Sequence, residues 1–180
     1  MNKNAIICEG AAEEAIIEVL LDNSLLLIEN NEYLLEDGPI RVRSAEEFCE
    51  RYLGNDFEGK VEVYRILDSR SEKFNFKTRK SAKIYEEKLN IHNVITAPEI
   101  EVLIIISEGE YDKFLRSGLK PSVFCKSNLK IKQVKTYNYI KDYFYDYNIL
   151  LEAIKLYHQK KKKKLDTEKT LYDLLKPEYK

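Results

Sequence analysis

The sequence predicts an α/β fold: a mostly parallel sheet with flanking helices, followed by a helical C-terminal extension. Two observations carry this prediction. Through the front half of the chain, short apolar runs alternate with amphipathic helical patterns, which is typical of parallel strands joined by crossover helices. From Tyr111 onward the strand signals fade and helical patterns replace them. We therefore divide the 180 residues into an α/β domain over 1–120 and a helical, basic extension over 121–180 that packs on it.

The strands and helices of the front half follow from apolar periodicity and from turn and cap residues. Strands are expected at 4–8, 24–28, 61–67 and 93–95. Helices are expected at 13–21, 45–53 and 81–89.

Local signals refine two of these segments. Ser44 is a suitable N-cap for the helix at 45–53, and Glu47 completes a capping box. The segment 99–106 fits a strand or a helix, and Pro98 before it favours a helix. In the back half, helices are expected at 111–116, 122–126, 137–163 and 167–175.

Charge divides the chain in the same way, although the net charge is only −1. Residues 1–120 hold 16 Lys and Arg against 24 Asp and Glu, a net charge of −8. Residues 121–165 hold 11 Lys against 3 acids, a net charge of +8. An acidic front half and a basic back half suit a metal site beside a phosphate-binding surface.

Several classes of protein are disfavoured. No apolar run approaches the roughly 18 to 20 residues that span a bilayer. The N-terminus lacks the pattern of a secretory signal, so we expect a cytoplasmic location and no membrane partner. The cysteines, Cys8, Cys49 and Cys125, are odd in number and widely spaced, which argues against a disulfide framework or a zinc knuckle.

Two carboxylates follow two of the expected core strands. Glu9 ends the first strand and Asp68 ends the strand at 61–67, 59 residues later. If the two strands are neighbours in a parallel sheet, both carboxylates lie at its carboxyl edge, where open α/β sheets place ligands. They could then share Mg²⁺ or Mn²⁺, because hard cations prefer oxygen ligands and keep several waters. The alternative is that both acids only cap their strands.

Two further pairs of acids are ambiguous. Glu13 and Glu14 follow Glu9 by one turn, and the i, i+4 spacing favours Glu13 as an additional ligand. The alternative is a favourable acid in a first helical turn. If 99–106 is a helix, only one of Glu99 and Glu101 can face the site, and we favour Glu99 because it lies nearer the helix N-terminus.

The back half carries a candidate nucleic-acid surface. Tyrosines and lysines alternate over 130–164, and lysines contact phosphates while aromatic faces stack on unpaired bases. The alternative for the tyrosines is packing inward from an amphipathic helix. The densest cationic run consists of Lys160, Lys161, Lys162, Lys163 and Lys164. This run either contacts phosphates or solvates a helix end.

Three segments resemble motifs of Toprim domains, mainly of the overcoming-lysogenization-defect and RloB-like branches. Ile-Ile-Cys-Glu-Gly-Ala-Ala-Glu-Glu at 6–14 resembles the opening motif, in which hydrophobic residues precede Glu-Gly and a Glu follows on the first helix. Arg-Ile-Leu-Asp-Ser-Arg at 65–70 resembles the later Asp-x-Asp motif, but Arg70 replaces its second Asp. Pro-Glu-Ile-Glu-Val-Leu at 98–103 resembles a third, acidic motif of RloB-like proteins.

The resemblance implies a Toprim-like fold and a Mg²⁺-dependent (or Mn²⁺-dependent) nuclease, or a related phosphoryl-transfer enzyme, in bacterial phage defence. Glu9 would act as metal ligand or general base and Asp68 as metal ligand, with Glu13 and Glu99 as supporting ligands. Arg70 would either hold a substrate phosphate or pair with a nearby Glu.

A second function fits the same residues. The Arg70 substitution could mark a degenerate metal site, and the protein would then be a non-catalytic partner subunit or a nucleic-acid-binding module. For either function, the expected partners are nucleic acid and either another protein or a second copy of the chain in a homo-oligomer. The intact Glu9 and Asp68 favour the enzyme, whereas Arg70 favours the module.

Overall fold

A three-stranded parallel sheet forms the centre of the protein, in a computed structural model that describes residues 2–28, 34–54, 57–160 and 168–180. Its strands are β1 (Lys3–Cys8), β2 (Val61–Leu67) and β3 (Leu89–Ile95), in the order β1-β2-β3. Cys8 pairs with Ile66, and Leu67 pairs with Ile95. All three strands therefore end at one edge, which we name the carboxyl edge. The predicted α/β class with a parallel sheet is confirmed.

Helices joined by turns and irregular segments flank this sheet. They are α1 (Ala11–Asp22), α2 (Ala45–Tyr52), α3 (Arg79–Tyr85), α4 (Val102–Ser107), α5 (Tyr111–Ser117), α6 (Pro121–Ser127), α7 (Tyr137–Tyr143), α8 (Tyr147–Lys160) and α9 (Leu171–Leu174). Short 3₁₀ turns lie at Glu86–Lys88 and Pro177–Tyr179. None of the helices in the described ranges is long and apolar enough to cross a bilayer.

The sheet separates two hydrophobic clusters because alternate strand residues point to opposite faces. On one face, Ile6 and Ile66 pack with α1, α4 and the C-terminal helices. On the other face, Ile7 and Val63 pack with Phe48 of α2. Because both faces of the sheet are buried, the sequence of each strand is a nearly continuous apolar run.

The C-terminal helices share the first of these clusters. Lys141 of α7 lies 2.8 Å from Asp22 and 3.3 Å from Glu18, both on α1, and Tyr137 donates a hydrogen bond to Glu18. Phe144, at the end of α7, is fully buried in the same cluster as Ile6 of β1. The extension is therefore packed on α1 through both apolar and charged contacts.

The strand expected at 24–28 is not formed. Leu26 makes a single antiparallel bridge to Leu175, near the C-terminal end of the chain. Both residues are fully buried, so the apolar run reflects burial in the core and not membership of the sheet. At the edge of β1, Ile40 bridges to Ile7 in parallel and extends the sheet irregularly.

Other predicted boundaries also shift. The segment at 81–89 is α-helical to Tyr85 and continues as the 3₁₀ turn Glu86–Lys88. Because β3 begins at Leu89, the short strand expected at 93–95 is longer. The segment at 99–106 contains α4, the helix that Pro98 favoured, but the α-helix begins only at Val102, after a turn in which the Val102 main-chain N–H donates to the Glu99 carbonyl.

The single helix expected at 137–163 is two helices, α7 and α8. The main chain leaves the helical conformation at Phe144, where α7 ends, and Asp146 then accepts hydrogen bonds from the main-chain and side-chain nitrogens of Asn148 at the start of α8.

The capping box at α2 is only half present. Ser44 Oγ accepts a hydrogen bond from the Glu47 main-chain nitrogen at 3.2 Å, as expected. The Glu47 carboxylate reaches instead to the main-chain nitrogen of Arg43, also at 3.2 Å, one residue before the cap. The bond to Ser44 satisfies a donor of the first turn that the helix leaves free, whereas the bond to Arg43 ties the preceding residue to the helix.

Candidate functional site

The carboxyl edge brings the two strand-end acids onto neighbouring strands. Glu9 follows the last residue of β1, and Asp68 follows the last residue of β2. Because β1 and β2 pair in parallel with Cys8 opposite Ile66, the two acids leave the sheet at the same end and within about one residue of the same level. The adjacency of these two strand ends, predicted from the sequence, is confirmed.

The charges of neighbouring acidic side chains affect the pKa of the Glu9 carboxyl. Burial raises the pKa of the Glu9 carboxyl above its ordinary value, and the carboxylates of Glu72 and Asp68 raise it further, while Arg65 opposes them. The charge of Asp68 thus contributes to the raised pKa of Glu9. The carboxyl edge is therefore a place where negative charges are only partly compensated.

Arg65, on β2, is a site residue that sequence reasoning missed. Its side chain is 4 % exposed, and its Nη2 lies 3.9 Å from Glu9 Oε1. Nη1 donates to Asn93 Oδ1 at 3.2 Å and lies 3.5 Å from the main-chain oxygen of Glu72. The guanidinium carbon sits 4.8 Å from the centroid of the Phe74 ring. The available signal was a lone arginine within the apolar run of a core strand.

The guanidinium of Arg65 is incompletely satisfied. Its Nε is buried and has no hydrogen-bond partner within the described residues. Desolvation lowers the pKa of Arg65, although the carboxylates of Glu9 and Glu72 act in the opposite direction. A buried cation with a free donor is uncommon in native structures and calls for a functional explanation.

Glu13 folds back over the turn between β1 and α1. A Cβ atom at Gly10 would collide with the Glu13 carboxylate, so the glycine leaves room for this side chain. Burial raises the pKa of Glu13, and the charges of Asp68 and Glu99 add to this effect, whereas its own main-chain N–H and Lys135 lower it. Glu13 is thus coupled both to Asp68 and to the acids that follow β3.

Glu99 and Glu101, which precede α4, converge on Lys135. Lys135 Nζ lies 3.3 Å from Glu99 Oε1 and 3.6 Å from Glu101 Oε1. The second oxygen of Glu99 accepts a hydrogen bond from the main-chain nitrogen of Ser122 at 2.8 Å. Both glutamates therefore face the same cation, although the sequence analysis expected only Glu99 to face the site. The sequence analysis placed Lys135, from the connection between α6 and α7, only in the basic segment over 130–164, and it missed the contact with these glutamates.

Arg70 forms an ion pair with Glu168. Its Nε donates to Glu168 Oε1, and its Nη2 donates to Oε2 at 3.0 Å, a bidentate arrangement. The sequence left two roles open for Arg70, holding a substrate phosphate or pairing with a glutamate. The structure contains the pairing with a glutamate. The partner comes from the C-terminal part of the chain.

A cleft gives solvent access to Glu9. It has a volume of about 560 Å³, and its lining residues are Cys8, Glu9, Arg41, Val42, Arg43, Glu47 and Glu72. Arg41 pairs with Glu14 on α1, while Arg43 is exposed. A polar cleft that reaches the carboxylate at the end of β1 can admit an anionic group beside these arginines.

Of the five lysines at 160–164, the structure describes only Lys160. Lys160 Nζ lies 3.5 Å from Asp112 Oδ1 and 5.3 Å from the centroid of the Tyr111 ring. The other four lysines, 161–164, lie outside the described residues. The nucleic-acid surface predicted for this run stays a prediction.

The residues present fit a divalent ion held by two carboxylates better than a larger metal cluster. No group of three or more Asp, Glu, His or Cys side chains within the described ranges has a metal-binding arrangement. Mg²⁺, however, is usually bound through one or two carboxylates and keeps several waters. Glu9 and Asp68, which end adjacent strands, are the candidate pair of carboxylates for such an ion.

Comparisons with models of protein families, with curated proteins and with solved structures found no match to this chain. The Toprim resemblance consequently rests on its three short motifs, and the function has to be argued from the carboxyl edge itself.

Proposed function

We propose that the protein is a Toprim-like, Mg²⁺-dependent (or Mn²⁺-dependent) nuclease, or a related phosphoryl-transfer enzyme, that acts on nucleic acid in phage defence. The observation that carries this proposal is the position of Glu9 and Asp68 at the ends of two adjacent parallel strands. Ligand sites of open α/β sheets lie at this edge.

In this proposal, Glu9 and Asp68 hold the divalent ion. The ion, when bound, supplies a Lewis acid that polarises a phosphoryl oxygen and lowers the pKa of a bound water. Arg65 lies close enough to Glu9 to favour its charged form, and the Glu9 carboxylate would hold the ion or accept a proton from a water. Glu13 and Glu99 add negative charge nearby.

The positive charges of the back half of the chain and of the cleft beside Glu9 indicate the class of substrate. Residues 121–165 have a net charge of +8, and polyanions bind such segments through phosphate contacts. Arg41 and Arg43 line the cleft beside Glu9, where guanidinium groups suit a phosphodiester. Nucleic acid is therefore the substrate that best matches both the acidic edge and the basic back half.

A cleavage assay tests this proposal. Purified full-length protein should cleave labelled DNA or RNA with Mg²⁺ or Mn²⁺ and lose the activity in excess chelator. Glu9→Gln and Asp68→Asn should each reduce the rate at least about 100-fold, because each removes a charged ligand. Glu152→Gln and Asp142→Asn, two exposed acids of the helical extension, are the matched controls and should cleave at the wild-type rate.

Full activity in Glu9→Gln or Asp68→Asn would assign the cleavage to another site or to a contaminant, and the proposal would then fail.

The Arg70–Glu168 pair favours a second candidate, a non-catalytic partner subunit or nucleic-acid-binding module. An arginine at the position of the second Asp of an Asp-x-Asp motif removes one metal ligand. This candidate predicts that the protein binds nucleic acid, or a protein partner, in the same preparations that show no cleavage with any divalent ion. Cleavage that depends on Glu9 rejects it.

A further inference from the structure

Two short helices, α5 and α6, form a hairpin whose inner side is anchored in the core. Phe114 of α5 and Phe124 of α6 are both buried, and their ring centroids lie 5.6 Å apart. Both rings belong to the hydrophobic cluster that contains Ile6 of β1. The hairpin is therefore fixed to the rest of the protein, and the exposed residues beside the two phenylalanines lie on a well-anchored part of the surface.

Three apolar side chains are exposed on this hairpin. Leu115 is 58 % exposed, Leu119 is 39 % exposed and Val123 is 45 % exposed. They are three of the eight exposed large apolar side chains in the described part of the chain, yet they fall within nine residues of sequence. Single exposed apolar residues are ordinary, whereas a group of them marks an interaction surface. We name these three residues the hairpin patch.

The turn between the two helices holds the hairpin patch in a fixed position. Gly118 adopts the left-handed conformation, with a φ of 66°, and ends α5. Ser117 Oγ accepts a hydrogen bond from the Leu119 main-chain nitrogen at 3.2 Å and donates one to the Phe114 carbonyl at 2.7 Å. Pro121, which is buried, then begins α6. Because the main chain is ordered before a partner arrives, association costs less entropy.

Cationic residues are interleaved with the hairpin patch. Residues 113–132 contain six Lys and Arg and no Asp or Glu. Arg116, Lys120 and Lys126 are exposed, and none of the three pairs with an acid among the described residues. The hairpin therefore presents exposed apolar side chains together with uncompensated positive charge. Its complement is a surface that combines apolar side chains with carboxylates.

The apolar side chains distinguish between the partners that positive charge attracts. The phosphates of nucleic acid pair with lysines but offer no apolar area to cover the leucines. Helices that lie on membranes present a long apolar face, whereas α5 and α6 have seven residues each and one exposed large apolar side chain each. The hairpin has no strand edge to which an extended segment could add a strand. An amphipathic helix with an acidic polar face matches these features.

We propose that the hairpin patch is a docking site for an acidic amphipathic helix of a partner protein. The apolar face of that helix covers Leu115, Leu119 and Val123, and its carboxylates pair with the exposed cations of the hairpin. Docking requires neither a divalent ion nor Glu9, so this inference goes beyond the proposed function and does not rest on it.

Fluorescence anisotropy of a labelled peptide, with the full-length protein, tests the proposal. The probe is a peptide of about 18 residues with Leu at the spacing of one helix face and Glu and Gln on the remaining face. It should bind saturably to the wild type. Leu115→Gln and Leu119→Gln should each weaken binding at least about tenfold, as central apolar contacts do. Ile149→Gln changes an exposed apolar residue of α8 and is the matched control, which should bind like wild type.

The cations have a test of their own. Arg116→Gln combined with Lys120→Gln should weaken binding of the peptide and reduce its salt dependence, because two ion pairs are lost. Lys83→Gln, at an exposed lysine of α3, should change neither. A second peptide, in which Gln replaces every Leu, keeps the charge and should bind at least about tenfold more weakly. Equal affinity for the two peptides means that charge alone holds them, and this outcome overturns the proposal.

Two further results overturn the proposal. One is no binding of the Leu peptide to wild type, or wild-type affinity for it in both leucine variants. The other is that Leu119→Gln weakens binding of single-stranded DNA or of phosphatidylserine vesicles by the same factor as binding of the peptide. Circular dichroism checks folding, and if one leucine variant is unfolded the other decides. Glu9→Gln should bind the peptide like wild type, so failure of docking and failure of the proposed function are distinguishable.

Discussion

Arg65 Nη2 lies 3.9 Å from Glu9 Oε1, so a buried cation on the central strand faces the carboxylate that ends the neighbouring strand. This separation exceeds a normal hydrogen-bond length. The attraction therefore favours the charged form of Glu9 without using its oxygens as hydrogen-bond acceptors, which leaves them available to an ion or a water.

Replacing Arg65 should change the titration of Glu9. In Arg65→Met, the pKa of Glu9 should rise further, because burial and the charges of Glu72 and Asp68 would act without an opposing cation. Arg65→Lys should retain part of the effect. The measurement is a carbon-13 NMR titration of the Glu9 side-chain carboxyl.

Arg70→Met is the matched control for that titration, because the Arg70 guanidinium binds Glu168 instead of Glu9. An unchanged Glu9 pKa in Arg65→Met, or an equal change in Arg70→Met, contradicts the role given to Arg65.

Glu101 should make stability depend on pH. Burial raises its pKa above the ordinary value of 4.5, so between these two values the native state holds a proton that the unfolded chain has lost. The contribution of Glu101 to the free energy of unfolding therefore decreases as pH rises through that window. Glu101→Gln, which is neutral at every pH, should lose this decrease in urea denaturation series at stepped pH.

Glu152→Gln, a change to an exposed glutamate of α8, serves as the control and should keep the wild-type pH dependence. If Glu101→Gln also follows the wild-type curve, the carboxyl of Glu101 is not the group that titrates.

Burial of Phe144 should couple the helical extension to the sheet. Its ring is 0 % exposed in the cluster that also contains Ile6 of β1. Phe144→Ala should reduce the free energy of unfolding by about 3–5 kcal/mol, the usual cost of deleting a buried phenylalanine ring. Tyr145→Ala, at a residue that is 90 % exposed, should change it by less than about 0.5 kcal/mol.

Both proteins should unfold in one transition when monitored by circular dichroism. Separate melting of the extension and the sheet in Phe144→Ala would show that the two parts do not share a core.

The lysine run at 160–164 should set the salt dependence of nucleic-acid binding. Each phosphate neutralised on duplex DNA contributes about 0.9 to the slope of log affinity against log salt concentration. Replacing the five lysines by Gln should make this slope shallower. It should also weaken binding by a similar factor for every nucleic-acid sequence. A filter-binding titration measures it, with Glu9→Gln as a control that should bind as tightly as wild type or more tightly.

Absence of binding to single- and double-stranded nucleic acid at low salt, or an unchanged slope in the Gln protein, removes the lysine run from the binding surface.

The sequence alone predicted the features of the fold that depend on local residue patterns. Apolar runs located β1 and β2, and the residues immediately after them, Glu9 and Asp68, followed directly from those ends. The parallel order was predictable because crossover connections favour it. The strand predicted around Leu26 was wrong. A short apolar run has the same sequence pattern whether it forms a strand or is buried in the core outside the sheet.

The remainder of the carboxyl edge depends on tertiary contacts that no local pattern encodes. Lys135 meets Glu99 only because α6 packs on α4 and α7 packs on α1, and Arg70 meets Glu168 across 98 residues of sequence. Arg65 lies within a predicted strand, yet periodicity does not reveal that its guanidinium would be buried against Glu9. Such charge pairings follow from the packing of helices on the sheet.

A structure of crystals soaked in Mn²⁺ tests the central claim most directly, because anomalous scattering locates the ion without assuming any activity. The account predicts an anomalous peak between the carboxylates of Glu9 and Asp68, at oxygen distances of about 2.0–2.6 Å as for hard divalent ions. The same peak should be absent from crystals of Asp68→Asn. Well-ordered crystals without an ion at Glu9 and Asp68, or with the ion bound elsewhere, would contradict the proposed site.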